Sequence, residues 1–319
     1  MANLNISRRS FGLGLIAHGI TGCDKVENYA IQTEFAEKNV PKTGEVLNIN
    51  GFKTHGYIEG YGAQDIVFIH GAHVNLRDWV FASRPISILD SRGIYIDRPG
   101  FGYSERDDTE WNAERQADQA RAYLKKIKGN NPILVGHSWG ALVAMTWAAK
   151  YPEEVKGIIS IGGLNMPFYG VSKIVNDIGL INLAYELYFT NIASKVDRGS
   201  IKKFASRMFR PQDIPEGYLE YIGSDLSRRL PTIKANKSDL SVTSNALNRN
   251  FSLYDNIDMP VEIIHGEKDF LLPVKNQAVA FNEVMPNSRL HILPKVGHMA
   301  HHFASKEISD SISYIRHIR

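Results

Sequence analysis

The sequence contains only one cysteine among its 319 residues. A single thiol, Cys23, can form no intramolecular disulfide, and it cannot supply the paired cysteines of a typical structural zinc site. An excess of one charge is also missing, because 37 lysines and arginines face 34 aspartates and glutamates. Nucleic-acid-binding proteins usually have clustered basic residues, so we expect no nucleic-acid partner. A hydrophobic content of 43% is enough for a sizeable globular core.

The N-terminal region has no apolar run long enough to cross a membrane. Arg8 and Arg9 precede a glycine-rich, mildly apolar run that has about half of the roughly 20 residues a transmembrane helix needs. A cleaved export signal therefore fits this region better than a membrane anchor does. The pattern resembles a bacterial twin-arginine signal, which implies export of the folded protein.

The single cysteine follows this run directly, in the stretch Ile20-Thr21-Gly22-Cys23. The stretch resembles a bacterial lipobox, in which the cysteine is lipidated and becomes the mature N-terminus. This resemblance implies an export signal over residues 1–23, a tether over residues 24–44, and lipid anchoring at Cys23 on the periplasmic side of the cell envelope. The alternative interpretation is a stray cysteine in a flexible leader.

Short apolar runs alternate with helical patterns along most of the remaining chain. An Asn-Gly pair at residues 50–51 predicts a hairpin between strands over 45–50 and 52–59. Continuous apolar runs, typical of buried strands, occupy residues 66–69, 94–96, 133–135, 157–161, 261–264 and 290–293. Helical spacing of apolar residues predicts helices over 111–127, 141–150, 274–284 and 305–318. This alternation predicts an α/β fold, with a mostly parallel sheet between two layers of helices.

Residues 165–258 interrupt the alternation, because their pattern is mostly helical. Candidate helices in this segment span residues 171–189, 201–209, 216–228 and 239–249. We interpret the segment as a helical cap inserted between two strands of one sheet. The α/β core is then formed by residues 45–164 and 259–319.

The stretch Gly136-His137-Ser138-Trp139-Gly140 lies between a predicted strand and a predicted helix. This Gly-x-Ser-x-Gly pattern is typical of a nucleophile elbow, a turn so sharp that side chains larger than hydrogen would clash at both glycine positions. The turn exposes the serine hydroxyl at a helix N-terminus. The alternative, an ordinary glycine-rich turn, does not explain the surrounding strand and helix. We therefore predict Ser138 as a nucleophile.

A nucleophilic serine needs a base, and the base needs a carboxylate that orients it. His298 follows the predicted strand over residues 290–293, and Asp269 follows the one over 261–264. Both lie just beyond the carboxyl end of a strand, where sites form in open α/β sheets. We predict His298 as the base and Asp269 as the acid. Glu267 and Asp310 are the alternative acids, which we interpret as surface charges.

Two further histidines, His301 and His302, compete with His298 as the base. Three histidines this close together also raise the possibility of a metal site, but no matching set of carboxylates or cysteines accompanies them. We interpret these two as histidines at a helix start or on the surface, and we expect no metal.

An oxyanion hole needs two backbone N–H groups that point at the developing negative charge. The amide of Trp139, the residue after the serine, is one candidate. The other candidate is the amide of Ala72, in the stretch His70-Gly71-Ala72-His73 after the strand over residues 66–69. Gly71 would let the backbone approach closely, and His70 would shape the loop.

Residues 45–319 resemble the α/β-hydrolase superfamily. The resemblance is carried by His70-Gly71, the stretch Asp-Arg-Pro-Gly-Phe-Gly-Tyr-Ser at residues 97–104, the Ser138 elbow, Asp269 and His298. It implies a mostly parallel eight-stranded sheet flanked by helices, with a helical cap over the active site. The stretch at 97–104 is a hallmark of one branch, where it supports the site as a tight loop without direct chemistry.

These residues together predict a serine hydrolase that cleaves a carboxylic ester of a small-molecule acyl substrate through an acyl-enzyme, without a cofactor. Related dehalogenases and epoxide hydrolases have aspartate in place of Ser138, so they are set aside. Cofactor-free haloperoxidases, amidases and carbon–carbon bond hydrolases share the triad and remain alternatives. A non-catalytic ligand-binding protein on the same scaffold is a further alternative. The substrate and the oligomeric state stay open.

Overall fold

A single sheet of eight strands forms the centre of the structure, a computed structural model that describes residues 22–88, 90–169 and 198–318. The strands are β1 (Glu45–Ile49), β2 (Phe52–Glu59), β3 (Gln64–Ile69), β4 (Ser91–Ile96), β5 (Ile133–His137), β6 (Gly157–Ile161), β7 (Val261–Gly266) and β8 (Ser288–Leu293). Their spatial order is β1-β2-β4-β3-β5-β6-β7-β8. The strands from β3 to β8 pair in parallel, and β2 is antiparallel to both β1 and β4.

Helices surround this sheet. They are α1 (Gly22–Asn39), α2 (Leu76–Ala82), α3 (Ala113–Lys126), α4 (Trp139–Lys150), α5 (Arg198–Phe209), α6 (Tyr218–Tyr221), α7 (Leu230–Phe251), α8 (Ala280–Val284) and α9 (Ser305–His317). A π-helical turn over Lys275–Val279 leads directly into α8. Among the described residues, no helix is both long enough and apolar enough to span a bilayer.

The hairpin between β1 and β2 follows from its turn residues. Asn50 and Gly51 both have positive φ angles, of 52° and 87°, as a type I′ turn requires. The turn sets the register in which Ile49 pairs with Phe52. The predicted hairpin is therefore confirmed, with its first strand one residue shorter than expected.

The central strands are apolar on both faces because both faces are covered by helices. Val67, Leu134 and Ile158 pack in one core layer, which includes residues of α3, α4 and α7. Phe68 and Val135 point the opposite way, into a second layer that includes residues of α2 and α9. Helix α4 is buried along eleven of its twelve residues, so it is apolar on all sides.

The segment predicted as a tether is different in the structure. Residues 22–39 form helix α1, whose second half contacts the folded body. Ala36 is fully buried, and the Glu37 carboxylate accepts a hydrogen bond from Arg229 at 2.8 Å. Cys23 lies in the first turn of α1, and the predicted signal falls mainly on residues outside the described ranges. Lipidation of Cys23 stays a prediction.

Most of the described part of the segment predicted as a cap is helical, although residues 165–169 and 210–217 are not. Residues 198–256 form α5, α6, α7 and two short 3₁₀ turns. The candidate helix over 216–228 is split into α6 and a 3₁₀ turn, because Gly223 adopts a left-handed conformation between them. The candidate over 239–249 is the second half of the longer α7, and the candidate over 171–189 lies outside the described residues. Helix α2 was not predicted, although Asn75 caps its N-terminus.

Candidate active site

Ser138 lies in the turn between β5 and α4, in a strained backbone conformation with φ of 53° and ψ of −118°. A Cβ atom added to Gly140 would lie 2.1 Å from the carbonyl oxygen of Ile69, and one added to Gly136 would lie 2.5 Å from the Cα atom of Ala141. Only glycine avoids these contacts with backbone atoms. Strained backbone conformations like that of Ser138 are concentrated at functional sites, where the surrounding structure maintains them.

The structure brings the three side chains predicted to act together within hydrogen-bond distance. His298 Nε2 lies 3.2 Å from Ser138 Oγ, and His298 Nδ1 lies 2.8 Å from Asp269 Oδ2. Asp269 follows β7 and His298 follows β8, so both loops reach the same edge of the sheet as the elbow. All three residues are at least nine-tenths buried. A chain of groups therefore connects the hydroxyl to a buried carboxylate.

Asp269 is held as an anion by its neighbours. Its Oδ1 atom accepts hydrogen bonds from the amides of Leu271 and Leu272, at 2.9 and 2.8 Å. Burial by itself would raise the pKa of the Asp269 carboxyl, but His298 and His265 outweigh that effect and hold the pKa well below its usual range. A fixed carboxylate suits the task of orienting an imidazole and stabilising its positive charge.

The two alternative acids bind other groups. Glu267 is exposed, and its carboxylate accepts from the amide of Lys295. Asp310 forms an exposed ion pair with Lys306, one turn away on α9. Neither carboxylate contacts His298.

One predicted oxyanion donor is next to Ser138 in the chain, and the other follows a glycine that passes close to it. Trp139 is the first residue of α4, and the first N–H groups of a helix have no partner within the helix. Ala72 follows Gly71, which passes so close to the elbow that an added Cβ atom would lie 3.3 Å from Ser138 Cβ. We call residues 70–73 the oxyanion loop. It contains His70, which is fully buried.

His301 and His302 are not on the surface, so this part of their interpretation is wrong. Their side chains are 0% and 1% exposed, in a 3₁₀ turn before α9. The carboxylate of Asp78 on α2 accepts a hydrogen bond from each, at 3.0 and 2.9 Å, and a third at 2.7 Å from the hydroxyl of Tyr218 on α6. No local pattern in the sequence pointed to Asp78, because 223 residues separate it from His301.

This buried cluster also contacts the loop that carries His298. The His137 ring lies 3.9 Å from the His301 ring, centroid to centroid, and His137 Nε2 is 3.1 Å from the backbone oxygen of His298. Asp78, His137 and His301 form a set of the kind that can hold a metal ion, a grouping the sequence had not indicated. Hydrogen bonds already satisfy both carboxylate oxygens, so we interpret the cluster as a support for the His298 loop.

Residues 64–305 match the family model described as the alpha/beta hydrolase fold. The match covers well over half of the chain, and it includes the Ser138 elbow and the loops that carry Asp269 and His298. The chain belongs to the α/β-hydrolase fold family. The predicted fold class is therefore confirmed, as an eight-stranded, mostly parallel sheet flanked by helices.

Individual relatives of this α/β-hydrolase are distant. The pimeloyl-[acyl-carrier protein] methyl ester esterase of Shewanella woodyi is 27% identical, over 76% of this chain and 90% of that protein. The 2-hydroxymuconate semialdehyde hydrolase of a Pseudomonas species is 23% identical, over 82% of this chain and 90% of that protein. A thermophilic esterase from Thermogutta terrifontis superposes with a TM-score of 0.67 at 17% identity, over 86% of this chain and 98% of that one. The last similarity concerns the fold alone.

Proposed function

We propose that this protein is a serine hydrolase that cleaves carboxylic esters through a covalent acyl-enzyme. The observation that carries the proposal is the chain of contacts from Ser138 Oγ to His298 Nε2, and from His298 Nδ1 to Asp269 Oδ2. A nucleophile, a base and an orienting carboxylate in this geometry form the arrangement that acyl transfer requires. Ester cleavage is favoured because a relative named as a methyl ester esterase lies among the proteins of similar sequence.

In the first half of the proposed reaction, Ser138 Oγ attacks the acyl carbon as His298 Nε2 takes the hydroxyl proton. The carbonyl π electrons move onto the oxygen, whose negative charge is stabilised by the amides of Ala72 and Trp139. When the tetrahedral intermediate collapses, the bond to the alcohol oxygen breaks, and His298 returns its proton to that leaving group. Asp269 stays ionised and stabilises the imidazolium throughout.

In the second half, water takes the place of the departed alcohol. His298 Nε2 removes a proton from this water, whose oxygen attacks the acyl carbon of the acyl-enzyme. The same two amides hold the second oxyanion. Collapse of this intermediate breaks the bond to Ser138 Oγ, and the proton returns from His298 to the serine. The products are the carboxylic acid and the free enzyme.

The proposal is tested by hydrolysis of p-nitrophenyl acetate by the full chain and by its Ser138→Ala variant. We expect the variant to lose a factor of about 10³ or more in kcat, because no nucleophile remains. The matched control is Glu267→Gln, which changes an exposed carboxylate only two residues before Asp269. It should hydrolyse the ester at the rate of the unchanged protein.

The outcomes separate the proposal from its alternatives. Equal hydrolysis by the Ser138→Ala variant and the unchanged protein would contradict the nucleophile assignment. Ser138-dependent activity could instead be faster on an anilide, a peracid or a vinylogous diketone than on esters. The natural substrate bond would then be an amide, a peroxide or a carbon–carbon bond, and not an ester. Tight binding of acyl compounds without turnover would favour a ligand-binding role instead.

A further inference from the structure

We propose that Arg98 is a positioning residue for the oxyanion hole, and that Asp239 on the cap helix α7 holds it in place. In this arrangement the guanidinium polarises the peptide group that supplies the Ala72 N–H. The inference rests on the proposed function, because it assigns a task to an oxyanion hole. It assigns a chemical role to part of the stretch at residues 97–104, for which the family resemblance implied only structural support of the site.

The geometry begins with one peptide group. The carbonyl of Gly71 and the N–H of Ala72 belong to the same peptide unit, so whatever binds the oxygen also acts on the N–H. The Gly71 oxygen lies 2.9 Å from Arg98 Nη2, which donates to it, and 2.8 Å from His70 Nδ1. Both lone pairs of this carbonyl are therefore engaged on the side away from the proposed oxyanion.

The tautomer of His70 follows from its second contact. His70 Nε2 accepts the backbone N–H of Arg98 at 3.0 Å, so the proton of the neutral ring lies on Nδ1 and is donated to Gly71. Burial, and then the charge of Arg98, lower the pKa of His70 to about 4. The ring is thus neutral at neutral pH, as this hydrogen-bond pattern requires.

Donors at a carbonyl oxygen draw electron density away from the amide nitrogen of the same peptide. The N–H becomes a stronger donor, and successive hydrogen bonds strengthen one another in this way. The effect is larger when a donor carries a full charge, because charge-assisted hydrogen bonds are about twice as strong as neutral ones. The peptide plane is also fixed, so the Ala72 N–H needs no reorientation when the oxyanion forms.

The guanidinium is held so that every nitrogen has a partner. Arg98 Nε donates to the His70 carbonyl at 3.0 Å, and Nη1 donates to Gln116 at 2.8 Å and to Asp239 at 2.6 Å. The side chain is only 2% exposed. In surroundings with little water, its charge acts on the loop with little screening.

Asp239 does not cancel this positive charge completely. Its second oxygen accepts from Arg106 Nη1 at 2.8 Å, so one buried carboxylate is shared by two guanidinium groups. Of these two, only Arg98 has a hydrogen bond to the oxyanion loop among the contacts of the described residues. Arg106 instead contacts Ser238 and the backbone of Ala235, both on α7.

Helix α7 and the 3₁₀ turn before it also bind the far end of the same loop. Asn236 Oδ1 on α7 accepts the amide of His73 at 2.9 Å, and the hydroxyl of Ser227 donates to the His73 carbonyl at 2.6 Å. The cap therefore determines the position of the oxyanion loop at two points. The carbonyl of Ser138, on the Trp139 side of the hole, accepts the amides of Ala141 and Leu164, and neither of these donors carries a charge.

The test compares Arg98→Met with Arg106→Met in the full chain. Both changes remove a guanidinium from Asp239, but only the first removes a donor from Gly71. The probe is phenyl trifluoromethyl ketone. Ser138 adds to its carbonyl carbon, the serine proton passes to His298, and the ketone oxygen becomes a stable oxyanion that fluorine NMR detects. Kinetics with p-nitrophenyl acetate give kcat and KM for the same proteins.

For Arg98→Met we expect kcat to fall about tenfold and the ketone to bind about tenfold more weakly, with KM changed less than about twofold. Asp239→Asn should show a smaller loss in the same two quantities. Arg98→Lys should recover part of the ketone affinity, because an ammonium near Gly71 restores charge. Arg106→Met should lose much less than Arg98→Met in both quantities, because the Arg98 hydrogen bond to Gly71 remains, although Asp239 then neutralises Arg98 more fully.

If Arg98 had a purely structural role, both methionine variants would show the same changes. KM would rise, and the midpoint of thermal unfolding would fall in parallel with activity. That result, or ketone binding by Arg98→Met equal to that of Arg106→Met, would overturn the inference. Failure of the proposed function looks different, because the unchanged protein would then form no adduct that depends on Ser138. The inference about the oxyanion hole would fall with it.

Discussion

At the scale of single residues, the most consequential side chain outside the proposed machinery is Asp78. Its buried carboxylate receives three donors from two parts of the protein: His301 and His302 before α9, and Tyr218 on α6. These interactions hold the pKa of Asp78 well below its usual value, although burial alone would raise it. A buried anion with well-placed donors joins the core, the cap and the His298 loop.

Replacement of Asp78 by alanine should destabilise the protein by about 3 kcal/mol or more, because it leaves three buried donors without an acceptor. Asp78→Asn should cost less, because the amide retains one acceptor and His301 can change its tautomer to accept from the new NH₂ group. Urea unfolding at pH 7.5 measures both changes. Asp310→Ala is the control, since it removes an exposed carboxylate and should leave the unfolding midpoint unchanged. Equal midpoints for Asp78→Ala and this control would contradict the assigned role.

At the scale of secondary structure elements, the junction of β5 and α4 shows how packing constrains the elbow. Gly140 lies against the backbone oxygens of Ile69 and His70, at the end of β3. Backbone atoms cannot move aside as the end of a flexible side chain can. The close contact between α4 and β3 therefore depends on a glycine at this position, and it positions the oxyanion loop beside Ser138.

We expect Gly140→Ala to lower the free energy of unfolding by about 3 kcal/mol, at the upper end of the cost of overpacking, because its Cβ atom would overlap backbone. Gly217→Ala is the matched control. Gly217 precedes α6 as its N-cap and has a φ of 72°, but an added Cβ atom there would meet nothing within 4 Å. The control should cost only the left-handed strain, about 1 kcal/mol. Urea unfolding of the two variants gives the comparison, and a cost for Gly140→Ala no larger than that of the control would refute the steric argument.

At the scale of the whole molecule, buried histidines make stability depend on pH. Burial is the largest cause that lowers the pKa of His70, His73 and His301 to about 4, and it lowers the pKa of His137 well below 6.5. Between pH 6.5 and 4, the unfolded chain therefore binds protons that the folded protein does not. Stability must fall as the pH falls through this range. The carboxylates with lowered pKa values act in the same direction, but only below about 4.

Each such histidine should contribute up to about 1.4 kcal/mol per pH unit to this slope. We expect urea unfolding free energies to decrease steadily from pH 7 to pH 5, with a slope greater than one histidine could produce. His301→Gln should reduce this slope by up to about 1.4 kcal/mol per pH unit, because it removes one proton-binding ring. An unfolding free energy that is constant between pH 7 and pH 5 would contradict this prediction, because it would show that these rings take up protons over the same pH range in the folded and unfolded states.

The sequence by itself was sufficient for the features that depend on near neighbours. Continuous apolar runs predicted the buried strands, since a strand covered on both faces excludes water from every side chain. The two glycines around Ser138 predicted the elbow, and the positions of Asp269 and His298 after strands predicted that they would meet it. In the structure His298 lies within hydrogen-bond distance of both Ser138 and Asp269.

Only the tertiary structure decided the contacts between residues far apart in the chain. Asp78 meets His301 across 223 residues, and Arg98 meets Asp239 across 141. Residues 24–44, predicted as a tether, are a further example. Most of them belong to helix α1, and Glu37 on this helix binds Arg229, which lies 192 residues further along the chain. An isolated carboxylate or arginine has the same local pattern whether it is solvated or buried. Its partner, and with it its role beside the proposed active site, is set only when the cap and the sheet pack together.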